Sequence, residues 1–209
     1  MKKIRAKLIG WDLDGTLADN FDDHYKAMCV IFEKFNAPFP SKEEYSGKMS
    51  HNLIDFYHQY DLPINESDIR QIFREFIEKF PLPQMFTGAK ETLETIRSKN
   101  IEQALITMAS EYRVTPFIKN FDIEKNFFAI HSEVRNKKDV ITKIIYEKNI
   151  EPECFFYVGD TPADIEAAND AGATSIGFVG GFGSIEQIKK VSPKFIINNH
   201  FELLDILEL

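Results

Sequence analysis

Cysteine is scarce in this chain. The 209 residues hold two, Cys29 and Cys154, far apart and in no metal-ligand spacing. A disulfide framework and a thiolate metal site are thereby excluded, leaving two reduced thiols in apolar patterns, read as buried. Positive charge is also short: 25 Lys and Arg against 33 Asp and Glu give a net charge of −8. No nucleic-acid partner is expected, because such a surface needs a basic footprint. A negative protein that handles an anionic substrate must gather positive charge locally, by metal, Lys or helix N-terminus. Long apolar runs are missing, and no window approaches the roughly 20 apolar residues of a membrane span. The basic opening MKKIRAKLIGWD resembles the start of a signal peptide, but Asp12 interrupts its apolar stretch too early. A cytoplasmic protein with no membrane partner is expected. The five histidines show no paired metal spacing, and His51 and His58, on one helical face, read as surface or satisfied core residues. Only one Trp is present, yet nineteen Phe supply ample apolar volume, enough for one sizeable core or a core with a small satellite.

Strand-length apolar runs recur at 6–11 (AKLIGW), 102–107 (EQALIT), 127–131 (FFAIH), 154–159 (CFFYVG), 174–179 (TSIGFV) and 194–198 (KFIIN). Helical patterns separate them: 87–99 after a Thr87 cap, 138–148, and 162–171 stopping at Gly172. A helix over 110–121 must hold Pro116 in or near its first turn. SIEQ (184–187) and NHFE (199–202) read as capping boxes opening two more helices. Continuous apolar strands alternating with helices indicate a parallel sheet covered on both faces. Residues 17–86 break the rhythm. Phe21, Tyr25, Met28, Phe32 and Phe35 have helical spacing, SKEE (41–44) is a capping box, and LIDFYHQY (53–60) and Ile69 to Phe80 form further stripes. PLPQMFTG (81–88) reads as the return hinge. The expected fold is α/β: a Rossmann-like doubly wound parallel sheet (residues 1–16 and 87–209) with an inserted all-helical cap domain (residues 17–86).

The charged residues worth testing lie where strands end. In LIGWDLDGTLADN, an apolar run closes on Asp12 and Asp14, two carboxylates that repel unless a cation or proton intervenes. Thr107 follows a second strand, and GDTPAD places Asp160 and Asp164 after a third. Ligands of open α/β sheets sit outside the carboxyl ends of the strands, so one rim collects all of these. Hard oxygen donors with little sulfur or imidazole favour a Mg²⁺-like ion. Each residue alone also has an ordinary reading: Asp160 or Asp164 as a helix cap or turn residue, Thr107 as a buried hydroxyl. Lys137 and Lys138 would be a solvated helix start, although positive charge there opposes the helix dipole.

The order DLDGT (12–16), strand-end Thr107, a Lys before a helix, then GDTPAD (159–164) resembles the haloacid dehalogenase superfamily of phosphohydrolases. The insert after DLDGT resembles the helical cap of its phosphoglycolate phosphatase-like branch. The resemblance implies a Mg²⁺-dependent phosphatase acting on a small phosphorylated metabolite. It implies Asp12 as nucleophile, forming an aspartyl-phosphate, and Asp14 as general acid and then base. The metal would be held by Asp12, the Asp14 carbonyl and Asp160, with Asp164 as a further ligand or orienting ligand water. Thr107 and Lys137, with Lys138 as the alternative, would bind the transferring oxyanion, helped by backbone N–H groups around Gly15, Thr16 and Met108. Met108 stands where relatives often carry a small polar residue. GKMSHNL (47–53) resembles the branch's specificity loop, in which Lys48 would either touch the leaving group or face solvent. The resemblance leaves open a monomer or a homodimer, a phosphosugar mutase activity, and a non-catalytic binding protein on the same fold. The acid two residues after Asp12 favours phosphate-ester chemistry over carbon–halogen cleavage.

Overall fold

The computed structural model describes residues 5–48, 53–77 and 81–209. His51, Phe80 and residues 49–52 of the expected specificity loop lie outside the described residues. The chain runs through β1 (Leu8–Trp11), a short strand β2 (Ala18–Asp19), and helices α1 (Phe21–Lys34), α2 (Lys42–Lys48), α3 (Leu53–His58) and α4 (Glu66–Ile77). A second short strand, β3 (Gln84–Met85), follows. Helices and strands then alternate: α5 (Ala89–Ser98), β4 (Glu102–Ile106), α6 (Glu111–Asn120), β5 (Ala129–His131), α7 (Lys137–Lys148), β6 (Phe155–Gly159). The last elements are α8 (Pro162–Asp170), β7 (Thr174–Phe178), α9 (Ile185–Lys190), β8 (Phe195–Ile197) and α10 (Phe201–Leu207).

Six strands form one parallel sheet in the order β5-β4-β1-β6-β7-β8. All six expected strands are present. β1, β6 and β7 are buried along their whole length, which is why each reads as an unbroken apolar run. The two edges are closed by three-residue strands, too short to template further pairing. Ile9 and Trp11 pack on one face with Leu93 and Ile96 of α5, Val114 and Phe117 of α6 and Leu203 of α10. Leu8 packs on the other with Ile141 and Ile144 of α7 and Ala168 of α8. This is an α/β Rossmann-like fold, doubly wound around β1. Gly10 is required where the sheet is tightest, because a Cβ there would stand 2.7 Å from Tyr157 Cδ2 and 2.8 Å from Phe155 Cε1.

The helices between β1 and α5 have a core of their own, built on Met28, Ile31, Phe32, Tyr45, Phe56, Tyr57 and Ile69. Periodicity did not anticipate the antiparallel ribbon of β2 with β3, which ties together the two crossings between this segment and the sheet. Among the described residues, no helix is long and apolar enough to cross a membrane.

Several local expectations change. Thr87 is not the cap of α5; Gly88 holds that position at φ 82° with no side-chain cap. Pro116 lies in the second turn of α6, beyond the first-turn position its missing N–H would suit. Ser184 and Gln187 make the expected capping box of α9. At α10, Asn199 Oδ1 accepts the Glu202 N–H at 3.3 Å, while Glu202 reaches back to the N–H of Asn198, one residue earlier than a simple box. Both cysteines are free but half-buried rather than buried. His58 Nε2 meets the Ile64 carbonyl at 3.1 Å, the satisfied role expected of it.

Candidate active site

β1 and β6 are neighbours, so the residues that follow them face one crevice at the point where strand order reverses. Asp12 extends β1 by one residue, its N–H donating to Val158 O at 2.9 Å. The chain then wraps around one carbonyl: the N–H groups of Thr16, Leu17 and Ala18 all donate to Leu13 O. Gly15 sits at φ 75°, and a Cβ on it would lie 2.2 Å from Asp160 Oδ2. The Thr16 hydroxyl donates to Asp160 Oδ1 at 2.9 Å, and the Phe182 N–H donates to Asp160 Oδ2 at 2.6 Å. Asp164 is the third residue of α8 and completes a capping box with Thr161, whose hydroxyl donates to its Oδ2 at 2.6 Å. Its other oxygen, Oδ1, accepts from the Lys137 ammonium at 2.6 Å.

Carboxylate oxygens of Asp12, Asp160 and Asp164 lie within 4.8 Å of one another, all three residues buried. Lys137, at the start of α7, enters this cluster with its ammonium 2.8 Å from Asp12 Oδ1 and 2.6 Å from Asp164 Oδ1. Lys138 does not enter it; it is half-exposed and 3.8 Å from Asp170. One ammonium pairs with two of the three carboxylates. Burial lifts the Asp12 carboxyl to about 7, with Lys137 opposing and Asp164 adding to the rise. Burial also pushes Asp160 well above its ordinary range, reinforced by Asp164 and Asp12. For Lys137, burial works against the charge, but Asp12 and Asp164 outweigh it and hold its pKa well above the usual value. A hard, oxygen-only donor set with this excess of negative charge fits a Mg²⁺-like ion.

Asp14 is not part of that cluster. Its side chain turns to Asn20 Nδ2 at 2.6 Å, with His24 Nε2 at 3.9 Å and Arg113 Nη2 at 3.8 Å. Burial pushes its carboxyl up, but Arg113, His24 and the Asn20 hydrogen bond together hold it below its ordinary range. Thr107 is buried at the end of β4, and its Oγ1 accepts the Ala109 N–H at 3.1 Å. Met108 is 42% exposed and lines the crevice.

Three expectations are corrected. The amides of Gly15 and Thr16 are spent inside the loop, on Ala18 O and Leu13 O, so neither is free for a ligand. Both residues shape the site from behind. Lys48 is absent from the described lining of the crevice; Glu44 at 2.6 Å and the Tyr60 hydroxyl at 3.2 Å hold its ammonium on the surface of α2.

The crevice opens into a cavity of about 1060 Å³. The sheet side contributes Asp12, Asp14, Thr107, Arg113, Lys137 and Asp164; the helical segment contributes His24, Tyr45, Phe56, Arg70, Phe73 and Arg74. Sequence reasoning missed Arg113, His24, Asn20 and Tyr157. Tyr157 donates its hydroxyl to Ile106 O at 2.9 Å beside Asp164. Arg113 did carry a signal, since it is a cation in the first turn of a helix, the same anomaly that singled out Lys137.

The family model for haloacid dehalogenase-like hydrolases matches residues 9–178. The chain belongs to that family. The phosphoglycolate phosphatase of Vibrio parahaemolyticus is 27% identical, covering 99% of this chain and 98% of its own. That of Haemophilus influenzae is 26% identical over 96% and 98%. With phosphatases matching it end to end, the chain stands among the phosphatases of the family. A haloacid dehalogenase-like family protein of Streptococcus pneumoniae shares the fold at a TM-score of 0.81 and 24% identity, over 96% of this chain and 97% of that one. A Bacteroides vulgatus protein provisionally described as a beta-phosphoglucomutase shares it at 0.79 and 17% identity, over 99% and 90%.

Proposed function

We propose that the protein is a Mg²⁺-dependent phosphatase that hydrolyses a small phosphate monoester through an aspartyl-phosphate, in the manner of a phosphoglycolate phosphatase. The meeting of Asp12, Asp160, Asp164 and Lys137 at one rim carries this reading. Asp12, Asp160, Asp164 and the Asp14 carbonyl would hold the ion, which when bound offsets the repulsion between a carboxylate nucleophile and a phosphate dianion. Asp12 attacks phosphorus and releases the alkoxide. Asp14, ionised in the free protein, takes up a proton as the negative charge of the phosphate ester arrives beside it, gives that proton to the alkoxide and then takes one from the water that opens the acyl phosphate. Lys137 and the Thr107 hydroxyl bind the phosphoryl oxygens in flight. Residues 17–86 act as a cap that limits water at the reacting centre.

Phosphate release from a panel of esters including phosphoglycolate should require Mg²⁺ and vanish in Asp12→Asn. Full turnover in EDTA refutes the proposal. A mutase reading keeps some footing, because Arg70 and Arg74 of α4 line the cavity although GKMSHNL holds no arginine. Isomer analysis after incubation with a hexose phosphate separates the two, since hydrolysis gives free sugar and phosphate while mutation gives a second sugar phosphate.

A further inference from the structure

Arg113 stands where neither packing nor helix electrostatics favours a cation. It is the third residue of α6, so its charge opposes the dipole of the helix that carries it. Its side chain is only 12% exposed. Nη2 lies 3.8 Å from Asp14 Oδ1, too long for a hydrogen bond, and Nη1 is buried without a hydrogen-bond partner. A buried guanidinium with donors unmet costs free energy. The other arginines of the cavity wall are engaged: Arg70 and Arg135 share Glu66, and Arg74 lies over the Tyr112 ring.

The position of Arg113 says what could meet it. Under the phosphatase reading, Asp14 stands beside the ester oxygen whose alkoxide it protonates. A substituent on the carbon bearing that oxygen then lies against the open fork of Arg113. We propose that Arg113 is a specificity residue that binds a carboxylate carried by the leaving group, two or three bonds from the ester oxygen. A planar guanidinium suits a carboxylate in a way an ammonium does not. The proposal rests on the phosphatase reading, and it assigns to α6 the leaving-group contact that Lys48 does not reach. If Arg113 served only to position Asp14, its loss would affect every ester alike.

Binding of two non-hydrolysable phosphonates in the presence of Mg²⁺, measured by calorimetry, tests this without turnover. The pair is 3-phosphonopropionate, which carries a carboxylate, and propylphosphonate, of the same length with a neutral end. The wild type should bind the carboxylated compound at least tenfold more tightly. Arg113→Gln should bind the two alike, and Arg113→Lys should keep only part of the preference. Retained binding of propylphosphonate by Arg113→Gln reports that the variant is folded. If that variant loses all binding, the partial preference of Arg113→Lys decides: an undiminished preference, or none in the wild type, overturns the inference. Equal weakening of both compounds in Arg113→Gln also overturns it, in favour of a positioning role. A wild type that binds neither phosphonate overturns the phosphatase reading along with it.

Discussion

Acid should unfold this protein partly through His200, which is fully buried and stacked 6.1 Å from Trp11, close also to Phe178 and Phe86. Its Nε2 donates to Thr16 O at 2.8 Å, while Nδ1 has no partner. Burial drops its pKa from 6.5 to about 4, only partly offset by the Thr16 carbonyl. A base with a depressed folded pKa contributes stability that is complete above 6.5 and lost as pH falls towards 4, because the unfolded chain takes the proton first. At pH 5 the loss relative to pH 7.5 is about 2 kcal/mol for this one group. Asp12 and Asp160 act in the opposite sense: carboxyls with raised folded pKa gain relative stability on acidification. The total slope therefore mixes signs, and a difference between variants isolates one group. His200→Gln keeps an N–H for Thr16 O and removes the titration. Urea unfolding followed by the fluorescence of Trp11, the only tryptophan, reads the sheet directly. Between pH 7.5 and 5.0 the wild type should lose about 2 kcal/mol more than His200→Gln. Parallel losses would refute the assignment of a buried neutral imidazole.

Two further outcomes follow from the site. Lys137→Met takes the ammonium away from Asp12 and Asp164; metal-free stability at pH 7.5 should fall by about 3–5 kcal/mol, and added Mg²⁺ should restore more of it than it adds to the wild type, by thermal melts with and without Mg²⁺. Gly15→Ala forces a Cβ to 2.2 Å from Asp160 Oδ2 at a φ of 75°, so calorimetry should show Mg²⁺ affinity reduced at least tenfold and melts a stability loss of about 1–3 kcal/mol.

How much could be read from the chain depended on what fixes each feature. β1, β6 and β7 were legible because burial on both faces leaves an unbroken apolar run. The meeting of Asp12, Asp160 and Asp164 was legible because strand ends of a parallel sheet share a rim; of the two lysines, Lys137 enters that cluster and Lys138 lies beside Asp170. The β2–β3 ribbon was not, since two-residue strands have no period. Thr87 lost the cap of α5 to Gly88, whose left-handed backbone leaves no mark on hydrophobic spacing. Lys48 takes the solvent-facing one of its two readings, because the helix surface offers it Glu44 one turn back. Asn20, His24 and Arg113 converge on Asp14 from α6 and from the start of α1, and only the tertiary fold brings them together.

The most direct measurement is the ¹⁹F spectrum of the protein with beryllofluoride, which mimics a phosphoryl group on a carboxylate. With Mg²⁺ present, the wild type should show protein-bound fluorine resonances that disappear on chelation and are missing in Asp12→Asn and Asp160→Asn. Bound resonances that persist in folded Asp12→Asn, or in the wild type without a divalent ion, would contradict phosphoryl capture by Asp12 at a carboxylate-held cation.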